Sequence, residues 1–182
     1  NTKVHHSLAA SQYNQRRKEC EKGMEILKKE LHVASFRDIK SAEELLPFKE
    51  QMGDEVYRRC LFVVEEILRT KKAGQYLKQN DTIGFGKLMF QTHYGLKNLY
   101  EVSCAELDYL VDAAEKNPDV IGSRLMGGGF GGCTINIVKA EGVDKFLYEI
   151  LPAYKKEFHI DAENYQVKIV DGTCEILKGD KK

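Results

Sequence analysis

Between Leu125 and Cys133 the chain reads LMGGGFGGC, so positions 127 to 132 are Gly127, Gly128, Gly129, Phe130, Gly131 and Gly132. Glycine is the costly choice wherever a chain must become ordered, so such a cluster marks left-handed dihedrals or a close backbone approach. The N–H groups of such a loop can also face an anion, a phosphate above all. Gly127, Gly129 and Gly132 fit G-x-G-x-x-G, but a dinucleotide site requires that motif to open a helix. The glycines lead instead into the strand-like CTINIVK, so the helix N-terminus that would hold a pyrophosphate is missing. A protein-kinase glycine loop fails as well, because the chain has neither H-R-D nor D-F-G. Local sequence leaves two readings open: a tight structural hairpin, or a loop that approaches an anion or braces a second loop that does.

Other chemically capable residues are weaker. His5 and His6 are adjacent with no third ligand near them, which favours surface or hydrogen-bonded residues over a metal site. Arg16, Arg17 and Lys18 can hold a phosphate or form the solvated face of a charged helix, and both readings stand. Cys133 comes after the glycines at the start of a strand without a base nearby in sequence, which fits a small buried side chain better than a nucleophile. The five cysteines are odd in number, widely spaced and without a CxxC pair, as expected of reduced thiols in a cytoplasmic protein. Lys plus Arg and Asp plus Glu both number 28, so charge gives no reason to expect a nucleic acid or an anionic membrane as partner. No apolar run approaches the roughly 20 residues of a membrane span.

These residues must be positioned by the elements around them. Over residues 7–31, Ala9, Tyr13, Cys20, Met24, Leu27 and Leu31 keep the spacing of one helical face. Ser41 and Glu44 form a capping box ahead of Leu45 and Leu46. From Asp54, the residues Val56, Cys60, Val63, Val64, Ile67 and Leu68 make a broad apolar stripe. Phe85, Leu88, Met89, Leu96 and Leu99 outline a further helix. Ser103 and Glu106 form a second capping box, opening a helix that faces Leu107, Leu110, Val111 and Ala114 inward and stops at Asn117-Pro118. Residues 120–126 and 133–139 then read as strands, 143–158 as a helix, and Val167, Ile169, Ile176 and Leu177 as strands flanking an Asp171-Gly172 hairpin turn. Helices first, and then strand, strand, helix, strand, strand, predict an α+β fold with an antiparallel sheet.

Taken whole, GSRLMGGGFGGCTINIV resembles the third signature of the galactokinase branch of the GHMP small-molecule kinases. NTKVHHSLAASQYNQRRKEC, FGKLMFQTH and YEVSCAELDYLVDAA resemble three further segments of that branch, in the same order, covering residues 1–138. The resemblance implies that residues 1–182 form the C-terminal domain of a two-lobed protein, with a split β-α-β, ferredoxin-like sheet. It implies phosphorylation of galactose by ATP with Mg²⁺, giving galactose 1-phosphate. The galactose signature, the GLSSS phosphate loop, the arginine and the catalytic aspartate of the family belong to an N-terminal domain, and this chain contains none of them. The abrupt start at Asn1 agrees with a piece of a longer polypeptide, whose partner is the N-terminal domain of the same protein.

By the same resemblance, Tyr13 falls on a tyrosine that contacts the sugar, whereas helical spacing alone favours a core position for it. Residues 127–132 would lie beside the phosphate loop of the other lobe and shape the nucleotide cleft, and no catalytic residue or metal ligand is assigned to this chain. Three departures stand out. Met126 occupies a position where the family commonly has Thr or Ser, which removes a hydroxyl able to meet a phosphate. Ala105 replaces a proline, and Asn98-Leu99 replaces an acidic pair. Two alternatives share this C-terminal half: a non-catalytic galactokinase-like sugar sensor, and a kinase for N-acetylgalactosamine.

Overall fold

The computed structural model describes residues 1–4, 9–170 and 172. The long apolar stripes fold as helices: α1 (Ala9–Leu31), the short α2 (Lys49–Met52), α3 (Asp54–Lys78), α4 (Thr82–Gly95), α5 (Ala105–Lys116) and α6 (Val143–Phe158). Between α5 and α6, β1 (Val120–Leu125) and β2 (Thr134–Val138) pair antiparallel, Leu125 opposite Thr134, with a register shift between Val120 and Gly122. The class is therefore α+β.

Two apolar cores carry these elements. Leu27, Ile39, Leu45, Met52, Val56, Tyr57, Cys60 and Val64 join α1 to α3 and to the 3₁₀ segment Ala42–Phe48. That segment begins where Ser41 and Glu44 predict: the Glu44 carboxylate accepts the N–H groups of Lys40 and Ser41 at 2.7 and 2.9 Å. Leu110, Ala114, Phe146, Ile150 and Tyr154 form the second core between α5 and α6. Burial pushes the Cys60 thiol up to about 12, so it behaves as a small apolar group at neutral pH.

Four expectations need correction. Ser103 does not cap α5: Cys104 holds the cap position, and the Ser103 hydroxyl instead donates to Asp108 at 2.5 Å. The hydroxyl is turned toward that carboxylate as a donor and accepts no N–H group of the first helical turn. Val167 and Ile169 lie outside any strand, at 79% and 103% exposure, and no strand or core face among the described residues covers them. Asp171, Ile176 and Leu177 lie outside the described residues, so among the described residues the sheet has two strands. Tyr13 leaves the core, and Arg16 enters it.

Arg16 belongs to a buried ionic cluster. Its guanidinium donates to the Tyr100 carbonyl at 2.7 Å, to the Glu101 carbonyl at 3.2 Å and to Glu19 at 3.2 Å. Arg59, 1% exposed, donates to Glu19 at 2.9 Å, to Glu101 at 2.7 Å and to the Leu99 carbonyl. Arg58 also pairs with Glu101. Hydrogen bonds from Arg59 and then Arg58 hold the Glu101 carboxyl below the ordinary carboxylate range. Arg17 and Lys18 remain exposed, with Arg17 pairing to Glu21 at 2.8 Å.

The sheet reaches α4 through a glycine pair. A Cβ on Gly86 would stand 2.0 Å from the Ile121 carbonyl oxygen, and one on Gly122 would stand 2.6 Å from the Gly86 Cα. Backbone can therefore touch backbone where β1 crosses α4. The expected outcome of Gly86→Ala is a loss of about 1–3 kcal/mol or more from overpacking, read as a lower denaturation midpoint in urea. An unchanged midpoint would show that helix and strand can separate freely here.

Candidate functional site

The Met126 N–H donates to the Cys133 carbonyl at 2.9 Å, which closes the β1–β2 ladder and leaves residues 127–132 as the connecting loop. Left-handed φ angles occur at Gly127 (81°), Gly129 (81°), Gly131 (118°) and Gly132 (82°), and at Phe130 (59°). The glycine content thus meets a backbone demand, as the composition predicts. At Gly129 there is a second demand, because a Cβ would lie 2.0 Å from the Val102 carbonyl oxygen.

Two outside segments hold the loop directly, and a third braces one of them. The Phe130 N–H donates to the Val102 carbonyl at 2.7 Å, and the Phe130 ring is buried. The Thr2 N–H and hydroxyl both donate to the Gly132 carbonyl, at 2.7 and 2.8 Å, while the Gly132 N–H donates to the Val4 carbonyl at 3.3 Å. Thr2 is itself completely buried, and its carbonyl accepts the Tyr154 hydroxyl of α6 at 3.0 Å. Two of the loop's amide donors, at Phe130 and Gly132, are thereby committed to protein acceptors.

Tyr13 stands on the open side of this loop. Its side chain is 57% exposed, and ring atom Cδ2 lies 3.8 Å from where a Cβ on Gly128 would be. Gly127, Gly128 and Met126 are exposed on the same stretch of loop. The core position that helical spacing favours for Tyr13 is thus not the one it takes. The face combines an aromatic wall, a phenolic hydroxyl able to donate or accept, and glycine backbone without side-chain cover. Such a surface suits a polyhydroxylated or anionic small molecule.

The base of the loop rests on a buried histidine. His93 of α4 is fully buried, its Nδ1 accepts the Leu125 N–H at 3.3 Å, and its Nε2 faces Asp108 Oδ1 at 3.2 Å without full hydrogen-bond geometry. Burial alone would push the Asp108 carboxyl up, yet His93, Ser103 and Lys97 together bring it below its ordinary range. Cys133 is half-buried at the start of β2, and burial raises the Cys104 thiol to about 11. His5 and His6 lie outside the described residues, and among the described residues no group of three His, Cys, Asp or Glu is placed to hold a metal ion. Among them also, no helix is long and apolar enough to cross a membrane.

Sequence reading passes over Thr2, Val102 and His93 as parts of this site. The signal that could have found them is their position inside NTKVHH, YEVSC and FGKLMFQTH, three of the matching segments.

Comparison with known proteins defines the class first: residues 75–156 match the model of the GHMP kinases C terminal family. The chain is 41% identical over 172 residues to a galactokinase of Bos taurus, covering 94% of this chain and 42% of that one. It is 40% identical over 177 residues to a galactokinase of Clostridium perfringens, covering 97% and 46%. A crystal structure of Lactococcus lactis galactokinase complexed with galactose superposes with a TM-score of 0.83 at 32% identity, over 88% of this chain and 42% of that one. The chain belongs to the galactokinase family, as a C-terminal region carrying its GHMP kinase C-terminal domain, and it spans less than half the length of the curated relatives it matches.

Two glycines of the loop separate dihedral strain from steric contact. At Gly127 nothing lies within 4 Å of an added Cβ, so Gly127→Ala is expected to cost only the left-handed term, about 1–2 kcal/mol. Gly129→Ala adds a backbone clash and is expected to cost about 1–3 kcal/mol beyond that. Urea denaturation of both variants checks the order; equal midpoints would mean that the Val102 contact yields without resistance.

Proposed function

We propose that this chain is the C-terminal half of an ATP-dependent sugar 1-kinase that transfers the γ-phosphoryl group to the anomeric hydroxyl of galactose. The observation that carries the proposal is the meeting of Tyr13 with Gly128, in a chain about two-fifths identical to galactokinases. A tyrosine that the family resemblance gives to the sugar stands beside a loop that it gives to the nucleotide cleft, and that neighbourhood suits a phosphoryl transfer.

In this reading Tyr13 positions the sugar by its hydroxyl and offers its ring as an apolar wall. Residues 127–132 brace the phosphate loop of the other lobe rather than hold phosphate themselves. Support comes from the Phe130 and Gly132 amides, already bonded to Val102 and Val4, and from Met126, which offers no hydroxyl. In this reading ATP and Mg²⁺ are held chiefly by the N-terminal domain. When bound, Mg²⁺ neutralises the charge that develops on the phosphates. Residues 1–182 form a single C-terminal domain, and its ferredoxin-like sheet is completed in the intact protein, where Val167, Ile169 and Val170 gain cover.

The GLSSS loop and the catalytic aspartate are missing from these 182 residues, so the isolated chain is expected to make no galactose 1-phosphate with MgATP. Measurable product from the purified chain would overturn the assignment of the chemistry to the other half. In the intact protein, Tyr13→Phe is expected to raise the galactose KM about tenfold with little change in melting temperature, the effect of losing one hydrogen bond to substrate. A steady-state assay with unchanged KM would remove Tyr13 from the sugar site.

A further inference from the structure

The buried ionic cluster lies outside the site, yet it ends on both of the site's parts. Arg59 and Arg58 grip the Glu101 carboxylate, and Arg59 also takes the Leu99 carbonyl. Glu101 sits at φ 55°, a left-handed angle uncommon for a residue with a side chain, and these contacts hold it there. The next residue is Val102, whose carbonyl accepts the Phe130 N–H and packs directly against Gly129. On the other side, Arg16 clasps the carbonyls of Tyr100 and Glu101 and lies three residues along α1 from Tyr13. Glu19 joins the two arginines, accepting from both.

We propose that this Arg16–Glu19–Arg59–Glu101 clamp is the positioning device of the site, fixing the glycine loop through Val102 and the Tyr13 helix through Arg16. The four side chains bond to one another and to the Leu99–Glu101 backbone; they are positioning residues that act through the main chain. The two arms are separable. Glu101→Gly accepts the left-handed angle but abandons the arginines, which frees Val102 and hence the loop. Arg16→Lys keeps the charge but cannot reach two carbonyls and a carboxylate with one planar fork, which loosens the Tyr13 helix as well.

The test uses the intact protein that carries this chain. Hydrogen–deuterium exchange of the peptide over residues 126–133 is expected to speed up about tenfold in Glu101→Gly, as for a locally released hydrogen bond, while α5 and α6 keep their protection. Arg59→Lys provides a second variant with the same expected pattern should the first fail to fold. Kinetically, Glu101→Gly should raise the ATP KM with little change in the galactose KM, whereas Arg16→Lys should raise both. The surface variant Arg17→Ala should change neither. Unchanged exchange over 126–133, or an increase spread evenly over α5 and α6, overturns the clamp. The kinetic arm rests on the kinase reading and the exchange arm does not: a selective exchange response in a protein without kinase activity would uphold the clamp and reject that reading.

Discussion

A guanidinium cannot be taken out of water alone. Arg59 lies on α3 at 1% exposure, and its burial fixes much of what surrounds it. Two carboxylates, Glu19 and Glu101, must come to it from helices and turns far away in sequence, and one carbonyl must turn inward at Leu99. Satisfying those donors bends the chain after α4 into the π-helical turn Leu96–Tyr100 and leaves Glu101 left-handed. Glu19 is pulled in two directions: burial raises its carboxyl, while the neighbouring Glu55 carboxyl, the hydrogen bond from Arg59 and the charge of Arg16 bring it down. Glu55 moves upward through its contact with Glu19, so the pair shares the cost of lying close together.

The second organising contact is made of backbone. Gly86 and Gly122 let α4 and β1 touch without side chains between them, and His93 on the same helix takes the Leu125 amide as β1 ends. Strand, helix and loop therefore share a common reference. The β1–β2 hairpin is small, and its connecting loop is held by contacts from the chain start, from Val102 and through Thr2 from α6, rather than by the sheet.

Much of this architecture is legible in sequence where the signal is periodic. The inward residues of α5 are the four that spacing predicts, and the alternation of TINIV becomes β2. Ser41–Glu44 works as a capping box because its partners lie within three residues. The unread features depend on partners far along the chain. Arg16 looks like one of three basic surface residues, and the carbonyls of Tyr100 and Glu101, over 80 residues away, help to draw it inside. Tyr13 has core spacing but meets Gly128, which no local pattern reveals. Ser103 shows the opposite failure, since a correct motif is present and Asp108 claims its hydroxyl.

The bonds from Thr2 to Gly132 and from Tyr154 to Thr2 join residues separated by 130 and 152 positions. Contacts of that span carry the largest closure entropy and form only after the intervening chain has condensed. The helical core of α1 and α3 is built from nearer neighbours. The shape of the glycine loop is therefore tied to the condensation of everything between Thr2 and Tyr154.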